Sequence, residues 1–166
     1  MNSFRRIGFD ILLSLLFLVL QTTLIKFLAI NTVVPDILLI WIAYVAIRQG
    51  QIAATTTGFF LGLAVDLLSG RDGMLGLAAL SKTVGGFVGG YFYNENKTTQ
   101  TLQGFRFITV VLVISIVHNL IYFLIFLQGT GLSWWDAVMW YGIPTSLYTA
   151  ATALLPMFAF ARKYLS

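Results

Sequence analysis

The chain has 166 residues, of which 58% are hydrophobic and only 10% charged. A soluble domain carries roughly 25% charged residues, so this composition excludes an ordinary soluble fold and points to a single polytopic membrane domain over residues 1–166. The chain has no cysteine, which excludes disulfide frameworks and thiolate metal sites. The net charge of +4, with no basic run longer than Arg5-Arg6, reads as topology determinants at helix ends rather than a nucleic-acid surface.

Hydropathy predicts six membrane segments. The first runs from about residue 7 to 25, interrupted only by Asp10, Ser14 and Gln21-Thr22-Thr23, with Lys26 snorkelling near its end. It follows Arg5-Arg6 as a signal peptide would, but no small-x-small cleavage pattern stands out, so it reads as a retained helix. Asn31-Thr32 makes a turn. The second segment begins at Pro35-Asp36, with proline at the first helical position and aspartate favouring the dipole in the first turn. It ends near Ile47, short for a hydrocarbon core of about 30 Å, so it extends into its flanks or ends in a shielded cavity. Arg48-Gln49-Gly50-Gln51 turns the chain into a third segment over about 52–68.

The turn Ser69-Gly70-Arg71-Asp72-Gly73 joins this to a fourth segment over about 74–93. On the third segment Ala54, Gly58, Gly62 and Asp66 recur every four residues and share one face; Ala78, Lys82, Gly86 and Gly90 do so on the fourth. Small residues at this spacing let helix backbones approach closely. Each face also carries one charge, costly in a membrane without a partner or a cavity. Lysine leans back towards its helix N-terminus, so Asp66 and Lys82 are expected to meet. Two readings stand: a buried ion pair fixing the hairpin, or a pair that lines a polar cavity or contacts a partner.

Asn94 to Gln100 is the longest hydrophilic stretch and reads as a loop. The fifth segment spans about 106–127 and carries His118 and Asn119 near its middle. A lone intramembrane histidine is read as hydrogen-bonded to a neighbouring helix, with a proton relay or ligand contact as the alternative. No second histidine exists, which argues against a metal site. Gln128-Gly129-Thr130-Gly131 breaks the segment, and Leu132 to Asp136, with Trp134-Trp135, reads as a short interfacial piece. The sixth segment spans about 140–160, with Pro144 in its first turns, a bend expected at Pro156, and a packing stripe of Thr145, Thr149 and Thr152. Gln21 reads as an interhelical hydrogen bond, Asp10 and Asp136 as solvated interface residues, and Asp36 as a helix-start residue.

With both termini cytoplasmic, the inside holds seven basic residues (Arg5, Arg6, Arg48, Lys97, Arg106, Arg162 and Lys163) and the outside two, Lys26 and Arg71. The bias predicts an N-in, C-in topology. Every predicted loop is short, which leaves no room for a soluble catalytic module. The sequence contains no zinc-protease signature, no GxSxG elbow and no Gly-Lys-Ser/Thr phosphate loop, so the expectation is a non-enzyme without cofactor.

Pro35-Asp36-Ile37-Leu38-Leu39, the run from Gly58 to Gly70, and Leu75 to Thr83 with Gly86 resemble the motifs of the rod shape-determining MreD family. The motifs cover about residues 35–90; the last two segments match by hydropathy alone. The resemblance implies a non-catalytic, multi-pass subunit of the bacterial cell-elongation machinery in the cytoplasmic membrane. It would bind the bitopic protein MreC and act with MreB, RodA and a class B penicillin-binding transpeptidase in peptidoglycan synthesis. It also implies a compact six-helix bundle similar in fold to the substrate-binding S-components of vitamin transporters. A small-molecule-binding subunit of that kind is therefore the rival to a scaffold. The residues carried forward as structural, partner or cavity candidates are Pro35, Asp36, Gly58, Gly62, Asp66, Lys82, Gly86, His118 and Asn119.

Overall fold

The computed structural model describes residues 3–31, 33–69, 74–128, 131 and 133–162. Among them the chain is helical, with one isolated β-bridge between Ile30 and Val33. The helices are α1 (Ser3–Thr23), α2 (Ile37–Gln49), α3 (Gln51–Ser69), α4 (Leu77–Gly89), α5 (Thr98–Gln103), α6 (Phe105–Phe126), α7 (Trp134–Ala137), α8 (Ile143–Thr152) and α9 (Leu154–Arg162). The stretches Gln51–Leu68, Phe105–Phe126 and Trp134–Phe160 are long and apolar enough to cross a membrane; Ile7–Thr23 and Ile37–Gln49 are apolar but shorter. Three of the six expected segments thus meet the length and apolarity of a full span.

α2 is the pillar of the bundle. Leu38, Leu39, Ile42, Ala43, Ala46 and Ile47 are fully buried, because α1, α3, α4, α6 and α8 all pack around it. A helix apolar all round is stable only when surrounded in this way. Phe17, Trp41, Tyr44 and Phe160 form an aromatic ladder from α1 through α2 to α9, with successive centroids 5.2, 5.1 and 5.4 Å apart. The Trp41 indole donates to Ser14 Oγ at 2.8 Å, which satisfies its buried polar end.

α2 gives way to α3 at Gly50, whose φ of +88° suits glycine. The ring of Tyr93 packs over that turn and Gly90 packs on Gln51. Thr98 donates to Ile47 O at 3.5 Å, and Gln49 donates to Asp10 Oδ2 at 2.9 Å. Arg5, Arg48, Lys97 and Arg106 consequently gather at one end of the bundle. Asp10 is half-buried in that bond, not simply solvated as expected.

Several boundaries differ from the sequence reading. Asp36 is the N-cap of α2, so Pro35 precedes the helix instead of opening it. α4 is 13 residues long and tightens into a 3₁₀ turn at Gly90–Phe92. The expected loop 94–100 contains a 3₁₀ turn at Glu95–Lys97 and the start of α5, because the Asn94 side chain accepts from the Asn96 N–H and caps the turn. The sixth segment divides into a π-helical stretch Val138–Gly142, then α8 and α9. Each division lies just before a proline. Pro144 cannot donate to the carbonyl of residue 140, and Pro156 cannot donate to that of residue 152. The expected turns at 70–73, Thr32 and 129–130, and the residues Leu132 and Lys163, lie outside the described residues, as do the side chains of Arg6, Lys26 and Arg162.

Candidate functional site

α3 and α4 meet backbone to backbone. A Cβ added at Gly58 would lie 2.4 Å from Lys82 O, one at Gly62 2.4 Å from Ala78 O, and one at Gly86 2.4 Å from Ala54 O. A Cβ at Gly90 would lie 2.4 Å from Gln51 Cα. The four-residue glycine spacing read in the sequence is therefore the contact face of the hairpin.

The charges on that hairpin do not pair with each other. Asp66 accepts from the backbone N–H groups of Gly76 (3.1 Å), Ala78 (3.0 Å) and Ala79 (3.0 Å). The cap residue of α4 is Gly76, in the left-handed region at φ +98°, with no side chain to satisfy those donors. A helix start leaves its first amides unsatisfied, and Asp66, reaching across from α3, meets that need. Replacing Asp66 with alanine is expected to lower stability by about 1–2 kcal/mol, the range for a lost N-cap. Asp66→Asn should retain part of it, and thermal unfolding in detergent measures both.

Lys82 instead forms an ion pair with Asp36. Lys82 is 3% exposed and the Asp36 side chain 16%. The same carboxylate caps α2, with Oδ1 accepting from Leu38 N at 3.0 Å and Leu39 N at 3.2 Å. The Asp36 amide donates to Thr149 Oγ1 of α8 at 2.9 Å. Gln21 of α1 closes the junction: its Oε1 accepts from Ile37 N at 2.9 Å and its Nε2 donates to Pro35 O at 3.3 Å. The start of α2 is thus tied to α1, α4 and α8 through polar bonds, each of which satisfies a group buried in the bundle.

His118 and Asn119 lie beside this junction, both 7% exposed. Asn119 donates to Ser146 Oγ at 2.9 Å and to Gly142 O at 3.3 Å, joining α6 to α8. The ring of His118 packs on Tyr122 with centroids 5.9 Å apart. Its Nδ1 has no hydrogen-bond partner, while the imidazole hydrogen-bonds the backbone of Ser81 on α4. A recess of about 260 Å³ opens there, lined by Gln21, Asp36, His118, Asn119, Tyr122 and Thr145 together with apolar side chains. Sequence reading singled out Pro35, Asp36, Lys82, His118 and Asn119, and the structure brings all five around this junction. Thr149 belongs to the stripe that reads as packing, yet it accepts from Asp36 N; Ser146, which accepts from Asn119, lies off that stripe and carries no sequence signal. Among the described residues no group of three or more His, Cys, Asp or Glu side chains could hold a metal ion.

A family model described as rod shape-determining protein MreD matches residues 5–166, essentially the whole chain. No curated protein and no solved structure matches the chain significantly.

Proposed function

This chain belongs to the MreD family of rod shape-determining membrane proteins, and from that premise we propose that it is a non-catalytic scaffold of the bacterial cell-elongation complex. In this reading a single domain crosses the cytoplasmic membrane six times, with both termini inside. It holds the transmembrane helix of MreC and acts with RodA, a class B penicillin-binding transpeptidase and MreB to regulate lateral peptidoglycan synthesis. The observation that carries the reading is the neutralised charge pair: the Lys82 ammonium and the Asp36 carboxylate neutralise each other, and the carboxylate also caps α2. Such a network specifies one rigid arrangement of helices, which suits a surface that recognises other helices by shape.

A second reading rests on the recess that His118 helps to line with Gln21, Asp36, Asn119 and Thr145, where the His118 Nδ1 is buried without a hydrogen-bond partner. It supports a small-molecule-binding subunit, with the S-component likeness belonging to this alternative. The separating experiment is purification from mild detergent with identification of the chains and small molecules that come with it. Recovery of a bitopic protein with a periplasmic coiled coil supports the scaffold. Recovery of an energy-coupling ATPase module, or a stoichiometric small molecule displaced by His118→Phe, supports the alternative.

A further inference from the structure

A larger cleft, of about 420 Å³, lies at the end of the bundle where the basic residues gather, away from the polar junction of α2. Its walls come from the 3₁₀ turn after α4, the Asn94 turn, α5 and the first turns of α6. Two cations line it, Lys97 and Arg106, and no acidic side chain does. The closest acid in sequence is Glu95, which is exposed and outside the cleft. Neither cation has an ion pair among the described residues. Arg48 at the same end differs, because its guanidinium is occupied by the Tyr44 hydroxyl and lies over the Tyr44 ring.

The remaining polar groups of the cleft suit an anion. Asn94 uses its carbonyl oxygen to accept from Asn96 N, which leaves its amide hydrogens to donate. α6 starts at Gly104 with no side-chain cap, so its positive dipole end stands uncompensated next to Arg106. One wall is apolar and exposed. Tyr91 is 71% and Phe92 39% exposed, and Tyr91 meets the ring of Phe87 edge-on at 5.5 Å. A soluble anion gains nothing from such a wall, whereas an acyl chain does.

We propose that this cleft binds the phosphate of an anionic glycerophospholipid, with Lys97 and Arg106 on the headgroup and the Phe87–Tyr91 face along the acyl chain. Basic recesses between helices at the membrane surface recognise lipid headgroups through this combination of charge and depth. The cleft shares no lining residue with the recess at the α2 junction and stands independently of the scaffold reading.

The test uses the full chain in mixed phosphatidylglycerol and phosphatidylcholine nanodiscs, with retained lipid counted by native mass spectrometry after partial delipidation. Wild-type protein is expected to retain phosphatidylglycerol selectively. Lys97→Gln and Arg106→Gln should each lower that selectivity about fivefold, and together roughly 25-fold. Arg5→Gln combined with Arg48→Gln removes the same charge from the same end and should leave it unchanged. Equal losses in the two double variants would show general surface attraction and overturn the proposal. Displacement of the lipid by inorganic phosphate at millimolar concentration would make it a soluble-anion site and overturn it as well. Should the double variant not fold, photo-crosslinkable phosphatidylglycerol on wild-type protein decides: adducts within residues 87–109 support the site, and adducts confined elsewhere refute it.

Discussion

Leucine at position 62 is expected to force α3 and α4 apart, with the largest loss of stability of any single substitution on this hairpin. The first added carbon would lie 2.4 Å from Ala78 O and 2.5 Å from Ala79 Cα. Both are backbone atoms of a packed helix, so neither can rotate away. Overpacking a core that can relax costs about 1–3 kcal/mol; here the obstruction is main chain, and relief requires the whole of α4 to move. Because Gly58, Gly86 and Gly90 make equivalent contacts along the same seam, displacement at Gly62 disrupts all of them. The positions of Asp66, which caps α4, and of Lys82, which pairs with Asp36, are lost with it. The expected readouts are a lowered unfolding temperature in detergent, reduced partner co-purification and rounded cells. Gly8→Leu is the control, since nothing lies within 4 Å of that position. A Gly62→Leu protein that unfolds at the wild-type temperature and sustains rod shape would show that the close approach of α3 and α4 is not required.

The second large effect is expected at Lys82. Lys82→Met leaves the Asp36 carboxylate inside the bundle without its counter-charge. Removing one member of a buried pair costs about 3–5 kcal/mol in soluble proteins. The double variant Asp36→Asn with Lys82→Met removes both charges and keeps an N-cap, since asparagine accepts from the same amides as aspartate. It is therefore expected to be more stable than Lys82→Met alone, and unfolding of the four members of the cycle measures the coupling. The same cycle built with Asp66→Asn should show no recovery, because Asp66 serves the amides of α4 and not the ammonium. If Asp66→Asn rescues Lys82→Met as well as Asp36→Asn does, the assignment of the partner is wrong.

The hairpin was legible in the sequence because four-residue glycine spacing is local, and local spacing maps directly onto a helix face. Which acid neutralises Lys82 was not legible. Asp36 and Asp66 are both isolated carboxylates in apolar surroundings, and sequence proximity favoured Asp66. The choice is made by α4, whose glycine cap leaves three amides that take Asp66 first. The sequence marks Asp36 as a helix-start residue, and it is one; the ion pair made by its second oxygen is not visible there. The lengths of α2 and α4 were only partly visible. Hydropathy continues past Gly89, but the 3₁₀ turn at Gly90–Phe92 ends the helix. Proline chemistry makes the interruption near Pro156 legible as a bend, whereas nothing in the sequence signals the π-helical stretch before Pro144.

The ion pair has a consequence for biogenesis. Asp36 precedes Lys82 by 46 residues, so a ribosome delivers the carboxylate well before the ammonium that quenches it. In the six-span arrangement proposed above, an ionised side chain alone in hydrocarbon is unfavourable, which would keep the leading end of α2 near water until α4 emerges. The nascent chain would then reach its final depth late, when a base made downstream draws an earlier segment into place.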